Sequence, residues 1–214
     1  EYILGNYNIP GVMDADGLTT ICKMNMHILN STKCKGILTP HLKEFERLSK
    51  IKIEDIKQDE ITIAKDFAKK YDVILLLKGP TTIVTDGEDV YLVKKGCQGM
   101  ATAGSGDVLS GILVGLLGYN ESDILTVATG AYLNGLAGEI AQEKYTDISM
   151  IASDTVKCLP EAIKEIRNAW AIWDALILRK QERKKIIIFV EHDVKEMDFD
   201  DGSVCNKNPL EWKR

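Results

Sequence analysis

Residues 99–111, read GMATAGSGDVLSG, are the part of the sequence best suited to binding an anion. The small residues from Ala101 to Gly106 let the backbone approach a ligand closely, and successive N–H groups that face one way create an anion hole. The apolar run 108–117 predicts a helix, whose first N–H groups lack intrahelical partners and carry partial positive charge. The segment therefore predicts a phosphate-binding turn at the start of a helix.

Asp107 stands in the first turn of this predicted helix. A carboxylate there commonly caps the helix or complements its dipole, and for an isolated Gly-Ser-Gly-Asp sequence that interpretation is preferred. If a phosphate binds at the same turn, Asp107 could instead accept a proton from a substrate hydroxyl during phosphoryl transfer. The segment alone leaves both roles open.

Two other segments place polar residues directly after predicted strands. Lys78 ends the apolar run 73–77 and opens the turn 79–82, whereas Thr39 and His41 follow the run 36–38. Open α/β sheets bind ligands just beyond the carboxyl ends of their strands. A lone lysine or histidine is more often a surface or structural residue, so the position of these residues is what makes them candidates.

The elements that would position these residues alternate in type from residue 11 to residue 166, which predicts an α/β fold with a largely parallel sheet. The predicted strands are 11–13, 36–39, 73–78, 82–85 and 90–93, with a hairpin turn at Asp86-Gly87. The predicted helices are 15–30, 41–48, 53–70, 106–117, 124–144, 152–158 and 160–166. Pro160 is expected to separate the last two because proline cannot sit inside a helix without a kink. A strand-like run, 186–190, lies beyond the break in this pattern near Arg167.

Composition narrows the class of protein. The 214 residues carry a net charge of −5, which gives no electrostatic support for a nucleic-acid partner. The five cysteines are scattered without CxxC pairs, which argues against a disulfide framework or a zinc site and favours a reducing cytoplasm. No apolar run approaches the roughly 20 residues of a membrane span. We expect a cytoplasmic protein with a small-molecule substrate and neither a nucleic-acid nor a membrane partner.

Five blocks in a fixed order carry a specific resemblance. They read MDADGL (13–18), ILTPH (37–41) with Glu44, LKG (77–79), GMATAGSGDVLSG (99–111) and the pair AYL and GLAG (131–133 and 135–138). In this order they resemble the ADP/ATP-dependent NAD(P)H-hydrate dehydratase family, a branch of the ribokinase-like superfamily. The similarity extends over about residues 9–167.

The resemblance implies a ribokinase-like three-layer sandwich in residues 1–167 that lacks the N-terminal part of the domain, followed by an extension of unknown role, 168–214. It implies repair of hydrated NADH or NADPH, in which ATP or ADP with Mg²⁺ phosphorylates the ring hydroxyl and phosphate then leaves. Asp107 would be catalytic and would contact the hydrate together with His41. The implied nucleotide-binding residues are Lys78, Gly79, Pro80, Thr81, Thr82 and Gly106, and the implied anion hole is Ala103, Gly104, Ser105 and Gly106. No metal ligand is assigned.

Two other functions stay open at this point. A small-molecule kinase of the same superfamily would use the same aspartate as a base and release the phosphoester as its product. A nucleotide-binding remnant would bind ADP without turnover. A sheet that lacks its N-terminal part would expose an edge, so we also expect a homo-oligomer.

Overall fold

A sheet of eight strands organises the part of the chain that the computed structural model describes, namely residues 10–24, 26–31, 35–118, 123–173, 185–190, 193–198 and 204–205. The strands cross the sheet in chain order: β1 Gly11–Met13, β2 Gly36–Leu38, β3 Ile74–Leu77, β4 Thr82–Thr85, β5 Val90–Val93, β6 Lys185–Val190, β7 Asp193–Asp198 and β8 Val204–Cys205. Strands β1 to β3 are parallel, β3 to β5 are antiparallel, β6 is parallel to β5, and β7 and β8 follow antiparallel. The predicted α/β class is confirmed.

The sheet is mixed because two of its strands form the predicted hairpin. The turn between β4 and β5 is tight: Asp86 Oδ1 accepts hydrogen bonds from the N–H groups of Glu88 and Asp89, both at 3.0 Å, and Gly87 has φ 94°. A two-stranded hairpin is necessarily antiparallel. The parallel arrangement predicted from the alternation of strands and helices therefore applies to β1–β3, where helices make the crossovers.

Seven α-helices connect or flank the described strands. They are α1 Asp16–Lys23, α2 Leu42–Ser49, α3 Ile53–Ile56, α4 Glu60–Tyr71, α5 Ser105–Leu117, α6 Ile124–Ser149 and α7 Ala152–Trp173, and 3₁₀ turns occupy Met26–Ser31 and Gln98–Met100. Across the described residues, no helix has the length and apolar character that a bilayer crossing requires.

Three predicted helices have different bounds in the structure. The predicted helix 15–30 is α1 followed by a 3₁₀ turn, with residue 25 outside the described residues. The predicted helix 53–70 is divided into α3 and α4 because Asp59 caps α4, its Oδ1 accepting from Thr62 N at 3.1 Å. The predicted helix 124–144 continues as α6 to Ser149, past a non-helical Thr146 with φ 64°.

The predicted break at Pro160 is wrong. A single helix, α7, runs through it. Proline removes the hydrogen bond to the carbonyl four residues earlier, at Val156, and the side chains of both residues are exposed. That carbonyl therefore lies on the solvent side of the helix, where water can replace the missing donor. The helix also crosses residue 167, and the domain boundary predicted there stays a prediction.

Helices cover both faces of the sheet over β1–β5, and β3 is buried on both. Leu75 and Leu77 face a cluster built with α1, α2 and α4, in which Phe45 and Phe67 pack edge to face at 5.2 Å. Ile74 and Leu76 face the opposite cluster, built with α5 and α6. This is the three-layer arrangement, and it fixes the carboxyl ends of β1, β2 and β3 beside the start of α5.

Candidate phosphate-binding site

The predicted phosphate turn immediately precedes α5. Gly104 caps the helix with φ 88°, a left-handed conformation that favours glycine. Ser105 N donates to Thr102 O at 3.3 Å, and Val108 N donates to Gly104 O at 3.0 Å, so the chain turns tightly into the helix. A Cβ at Gly104 would lie 3.2 Å from the Cβ of Ala152, which places the turn against the start of α7.

The first turn of α5 presents hydrogen-bond donors that the described residues do not use. Neither Gly106 N nor Asp107 N has an acceptor there, and no side chain caps the helix. The hydroxyl of Ser105 is buried and has no partner among the same residues. Unsatisfied donors at a helix start, carrying partial positive charge, suit a phosphate oxygen. The turn therefore fits the anion hole that the sequence predicts at Ala103–Gly106.

Lys78 is brought directly to this turn. It follows β3, and its Nζ lies 2.9 Å from Asp14 Oδ1 in a largely buried ion pair. A Cβ built on Gly106 would be 3.8 Å from Lys78 Nζ and 3.3 Å from Asp14 Oδ2. Of the predicted nucleotide-binding residues, Lys78 and Gly106 thus lie close together. Gly79, Pro80 and Thr81 form the turn that follows Lys78, and Thr82 begins β4.

Asp14 is a site residue that the sequence reasoning missed. Its Oδ1 accepts from Ala15 N at 2.9 Å as well as from Lys78, and its Oδ2 accepts from the Ser110 hydroxyl at 3.4 Å. It therefore connects the end of β1, the end of β3 and the first turns of α5. A signal was present, because Asp14 directly follows a strand, as Lys78 does.

His41 begins α2 and has a structural role in capping it. Its Nδ1 accepts from Lys43 N at 3.1 Å and from Glu44 N at 3.2 Å, and Glu44 Oε2 accepts from His41 N at 2.8 Å, which completes a capping box. Because Nδ1 is the acceptor, the proton of the neutral ring belongs on Nε2. His41 also pairs with Lys78 in an isolated bridge, and Lys78 N donates to Pro40 O at 2.8 Å. The half-exposed imidazole thus belongs to a residue whose backbone pairs with that of Lys78, at the ends of β2 and β3.

Thr39, the neighbouring candidate, is fully buried and structural. Its N and Oγ1 both donate to Met13 O, at 3.1 and 3.3 Å. These bonds tie the end of β2 to the end of β1. The threonine therefore helps to hold the strand ends together and offers nothing to a ligand.

Asp107 is exposed in the first turn of α5, and its carboxylate makes no hydrogen bond or ion pair with the described residues. Asp107 thus makes no capping hydrogen bond, whereas its place in the first turn still complements the helix dipole. Its carboxylate is free to act on a ligand held at the adjoining N–H groups. The predicted catalytic residue and the predicted anion hole are neighbours on one turn.

The start of α7, against which the phosphate turn packs, is fixed by a charged network. Asp154 accepts from Lys157 Nζ at 2.8 Å and from Ile151 N at 3.0 Å. The hydrogen bond from Lys157, with a smaller contribution from the Ile151 amide, lowers the pKa of the Asp154 carboxyl. On the other side of the turn, burial raises the pKa of the Cys97 thiol, so this cysteine is not an activated nucleophile.

Comparison with known proteins agrees with this geometry. The family profile described as NAD(P)H-hydrate dehydratase matches residues 2–161. The chain is 37% identical over 168 residues to the bifunctional NAD(P)H-hydrate repair enzyme Nnr of Moorella thermoacetica, covering 78% of the chain and 31% of the relative. It is 38% identical over 128 residues to the ADP-dependent (S)-NAD(P)H-hydrate dehydratase of Cenarchaeum symbiosum, covering 60% of the chain and 44% of the relative.

A solved structure shows the same fold. It is the ADP/ATP-dependent NAD(P)H-hydrate dehydratase of Bacillus subtilis, co-crystallised with ATP and Mg²⁺, with a TM-score of 0.66 at 24% identity over 76% of this chain and 57% of that one. The chain also matches a ribokinase-like superfamily protein of Enterococcus faecalis, with a TM-score of 0.63 at 27% identity over 72% of this chain and 52% of that one, and the predicted ribokinase-like fold is confirmed. The chain spans less than half the length of the two curated relatives above. The match over residues 2–161 shows that this chain belongs to the NAD(P)H-hydrate dehydratase family.

Proposed function

We propose that this chain catalyses the nucleotide-dependent dehydration of hydrated NADH or NADPH. The observation that carries the proposal is that Lys78 Nζ lies beside Gly106, at a helix start where the N–H groups of Gly106 and Asp107 have no acceptor among the described residues. The exposed carboxylate of Asp107 lies in the same helical turn. The names of the family and of its curated relatives supply the substrate class. They support dehydration over the small-molecule kinase alternative.

In this proposal, Lys78 and the α5 turn hold the nucleotide phosphates. An ammonium group has three donors, so Lys78 can keep its bond to Asp14 while it also donates to a phosphate oxygen. When no nucleotide is bound, Asp14 remains the ion-pair partner of the largely buried Lys78 ammonium group. The proposed nucleotide contacts are those implied by the resemblance: Lys78, Gly79, Pro80, Thr81, Thr82 and Gly106.

Asp107 is proposed to accept the proton of the substrate hydroxyl as that oxygen attacks the terminal phosphoryl group. The bond from that phosphorus to the bridging oxygen breaks, so ADP leaves from ATP, or AMP from ADP. The new phosphoester then breaks at its C–O bond, because phosphate leaves more readily than hydroxide. The ring nitrogen supplies electrons, and loss of a ring proton restores the double bond. In the net reaction the hydrate loses the elements of water, and the oxygen of its hydroxyl becomes one of the four oxygens of the released phosphate.

His41 is proposed to bind the hydrate. Its Nδ1 is committed to the cap of α2, so the Nε2–H group is the side of the ring that can donate to an oxygen of the substrate. Its distance of 3.6 Å from Glu44 Oε2 is too long for a hydrogen bond and leaves the donor available.

We also propose that ATP or ADP acts together with Mg²⁺, which when bound neutralises phosphate charge. The described residues contain no group of three metal-ligating side chains. A fully protein-caged metal therefore does not fit them, whereas an ion held mainly by phosphates and water does. Asp14, whose Oδ2 would lie 3.3 Å from a Cβ on Gly106, is an acidic group that would contribute to its coordination.

The assembly and location of the protein are further proposals. Among the described strands, β1 is outermost and its Gly11 is exposed, and a strand edge left unpaired would invite association with a second copy. We propose a homo-oligomer, which light scattering at micromolar concentration would refute by showing a monomer. Cys22, Cys97 and Cys158 are free thiols, which suits a reducing, cytoplasmic location.

The test of the proposed activity is regeneration of reduced nicotinamide. The chain is incubated with hydrated NADH, Mg²⁺ and either ADP or ATP, and the absorbance of NADH and the release of phosphate are followed together. Equal amounts of NADH and phosphate support dehydration. Accumulation of a stable phosphoester would indicate a kinase, and ADP binding without either product would indicate a remnant.

A further inference from the structure

The segment between β5 and the phosphate turn is docked on α6 rather than on the sheet. Residues 94–104 contain one 3₁₀ turn, Gln98–Met100, and otherwise no regular structure. Irregular backbone keeps one conformation only where its polar groups find fixed partners. The partners of this segment therefore decide how firmly the anion hole is held.

Glu139 on α6 is the principal partner. Its Oε2 accepts from Lys95 Nζ at 2.8 Å, in an ion pair whose lysine side chain is 12% exposed. Its Oε1 accepts from Gly96 N at 2.9 Å, and Gly96 has φ 135°, a conformation that other residues rarely adopt. A single carboxylate thus fixes both a side chain and a backbone position that favours glycine.

One helical turn further on, Gln142 extends the same contact. Its Oε1 accepts from Gly99 N at 3.2 Å, and Cys97 Sγ donates to Gly138 O at 3.3 Å. Residues three and four positions apart share one face of a helix, so Gly138, Glu139 and Gln142 form a continuous edge. We call this edge the α6 clamp.

Glycine at two positions lets the segment approach the clamp closely. A Cβ at Gly135 would lie 2.5 Å from the carbonyl carbon of Lys95, and one at Gly138 would overlap Met100 Sδ. Backbone hydrogen bonds then fix the turns that follow along the chain. Met100 N donates to Cys97 O at 3.2 Å, Ala101 N to Gln98 O at 3.0 Å and Ser105 N to Thr102 O at 3.3 Å. These turns connect the clamped residues to the anion hole without a break.

We infer that Glu139 is a positioning residue for the anion hole, acting through Lys95 and Gly96 on the turn 101–106. The expected effect on nucleotide affinity rests on the proposed function, but the clamp itself can be tested without nucleotide. Glu139 touches neither the anion hole nor Asp107 in the described structure, so its effect must pass through the segment that it holds.

The experiment compares amide hydrogen exchange of nucleotide-free wild type, Glu139→Ala, Glu139→Gln and Glu143→Ala. Glu143 is exposed on the same helix, has no partner among the described residues, and serves as the matched control. In Glu139→Ala, exchange across residues 96–106 should accelerate at least about tenfold, while the sheet stays at wild-type rates. Glu139→Gln keeps an acceptor for Gly96 N and should be intermediate.

Titration with ADP and Mg²⁺ completes the test. Glu139→Ala should raise the Kd about tenfold, the effect of one charge-assisted hydrogen bond, with partial recovery in Glu139→Gln. Unchanged exchange in residues 96–106, or acceleration by the same factor throughout the chain in both Glu139 variants, would overturn the inference. If the wild type binds no ADP while the exchange pattern is as expected, the proposed function fails and the clamp stands.

Discussion

Two halves of the candidate site are held in different ways. The strand-end half consists of Asp14, His41 and Lys78, which follow three adjacent parallel strands and are joined by hydrogen bonds across their ends. The helix-docked half consists of residues 95–106, which the α6 clamp holds from outside the sheet. The strand ends obtain their position from the core itself, whereas the anion hole depends on a few polar contacts. We therefore expect the two halves to respond differently to substitution.

The largest effect is expected from Asp107→Asn, which removes the proposed base next to the helix-docked half and keeps the shape of the side chain. Turnover should fall about a hundredfold to ten-thousandfold, the usual contribution of a general base. ADP affinity should change little, because the N–H groups of the turn are intact. Steady-state kinetics and ADP titration measure the two effects separately. Wild-type turnover in the variant would remove Asp107 from the mechanism.

Lys78→Met tests the strand-end half. The substitution removes the cation at the phosphate turn, and it leaves the largely buried Asp14 without its ion-pair partner. Loss of a charged hydrogen bond costs about 1.5–3 kcal/mol, so the Kd for ADP should rise about tenfold to a hundredfold. Lys57→Met, at an exposed lysine with no partner in the described residues, is the control. If Lys78→Met and Lys57→Met bound ADP with equal affinity, the nucleotide phosphates could not be bound by Lys78.

Gly106→Ala tests the contact between the halves. The new Cβ would lie 3.3 Å from Asp14 Oδ2 and would occupy space beside Lys78 Nζ, so ADP affinity should fall severalfold. The matched control is Gly111→Ala on the same helix, where nothing lies within 4 Å. That variant should keep its affinity and gain up to about 1 kcal/mol in the free energy of unfolding, because alanine favours a helix. Identical behaviour of the two variants would argue against a shared site.

The smallest effect is expected on thermal stability, from Asp154 at the start of α7, against which the phosphate turn packs. The pKa of Asp154 is lowered by Lys157, so the stability that it contributes is complete above its ordinary value of 3.8 and is lost as pH falls through the lower, folded value. The difference in Tm between wild type and Asp154→Asn should therefore be constant near neutral pH and should shrink in strong acid. Asp147→Asn, at an exposed carboxylate, controls for net charge. A difference that grows on acidification would contradict the assignment.

The sequence predicted the strand-end half better than the helix-docked half. Lys78 and His41 could be found because they follow short buried strands, whose carboxyl ends meet at one edge whatever the loops do. Asp14 obeys the same rule, and it was overlooked because a carboxylate after a strand has no distinctive pattern by itself. The phosphate turn itself was found through its small residues and the helix that follows it.

Residues 95–100 and the clamp could not be predicted in this way. Glu139 and Gln142 lie more than forty positions away from their partners, and no local pattern records which loop a helix face will bind. The same limit explains Pro160, which a local rule places at a helix end and which tertiary packing retains inside α7. Local rules thus predicted elements, whereas contacts between distant segments decided how the site is held.

The most direct test of the account is an amide NMR titration of the wild-type chain with ADP and Mg²⁺. We propose that the N–H groups of Gly106 and Asp107, which have no acceptor among the described residues, bind the phosphate. Their amide resonances should therefore shift most, followed by those of Ser105 and Lys78. The claim that the nucleotide phosphates bind at the α5 turn would be contradicted if the titration reached saturation with every large shift outside that turn and outside the ends of β1–β3.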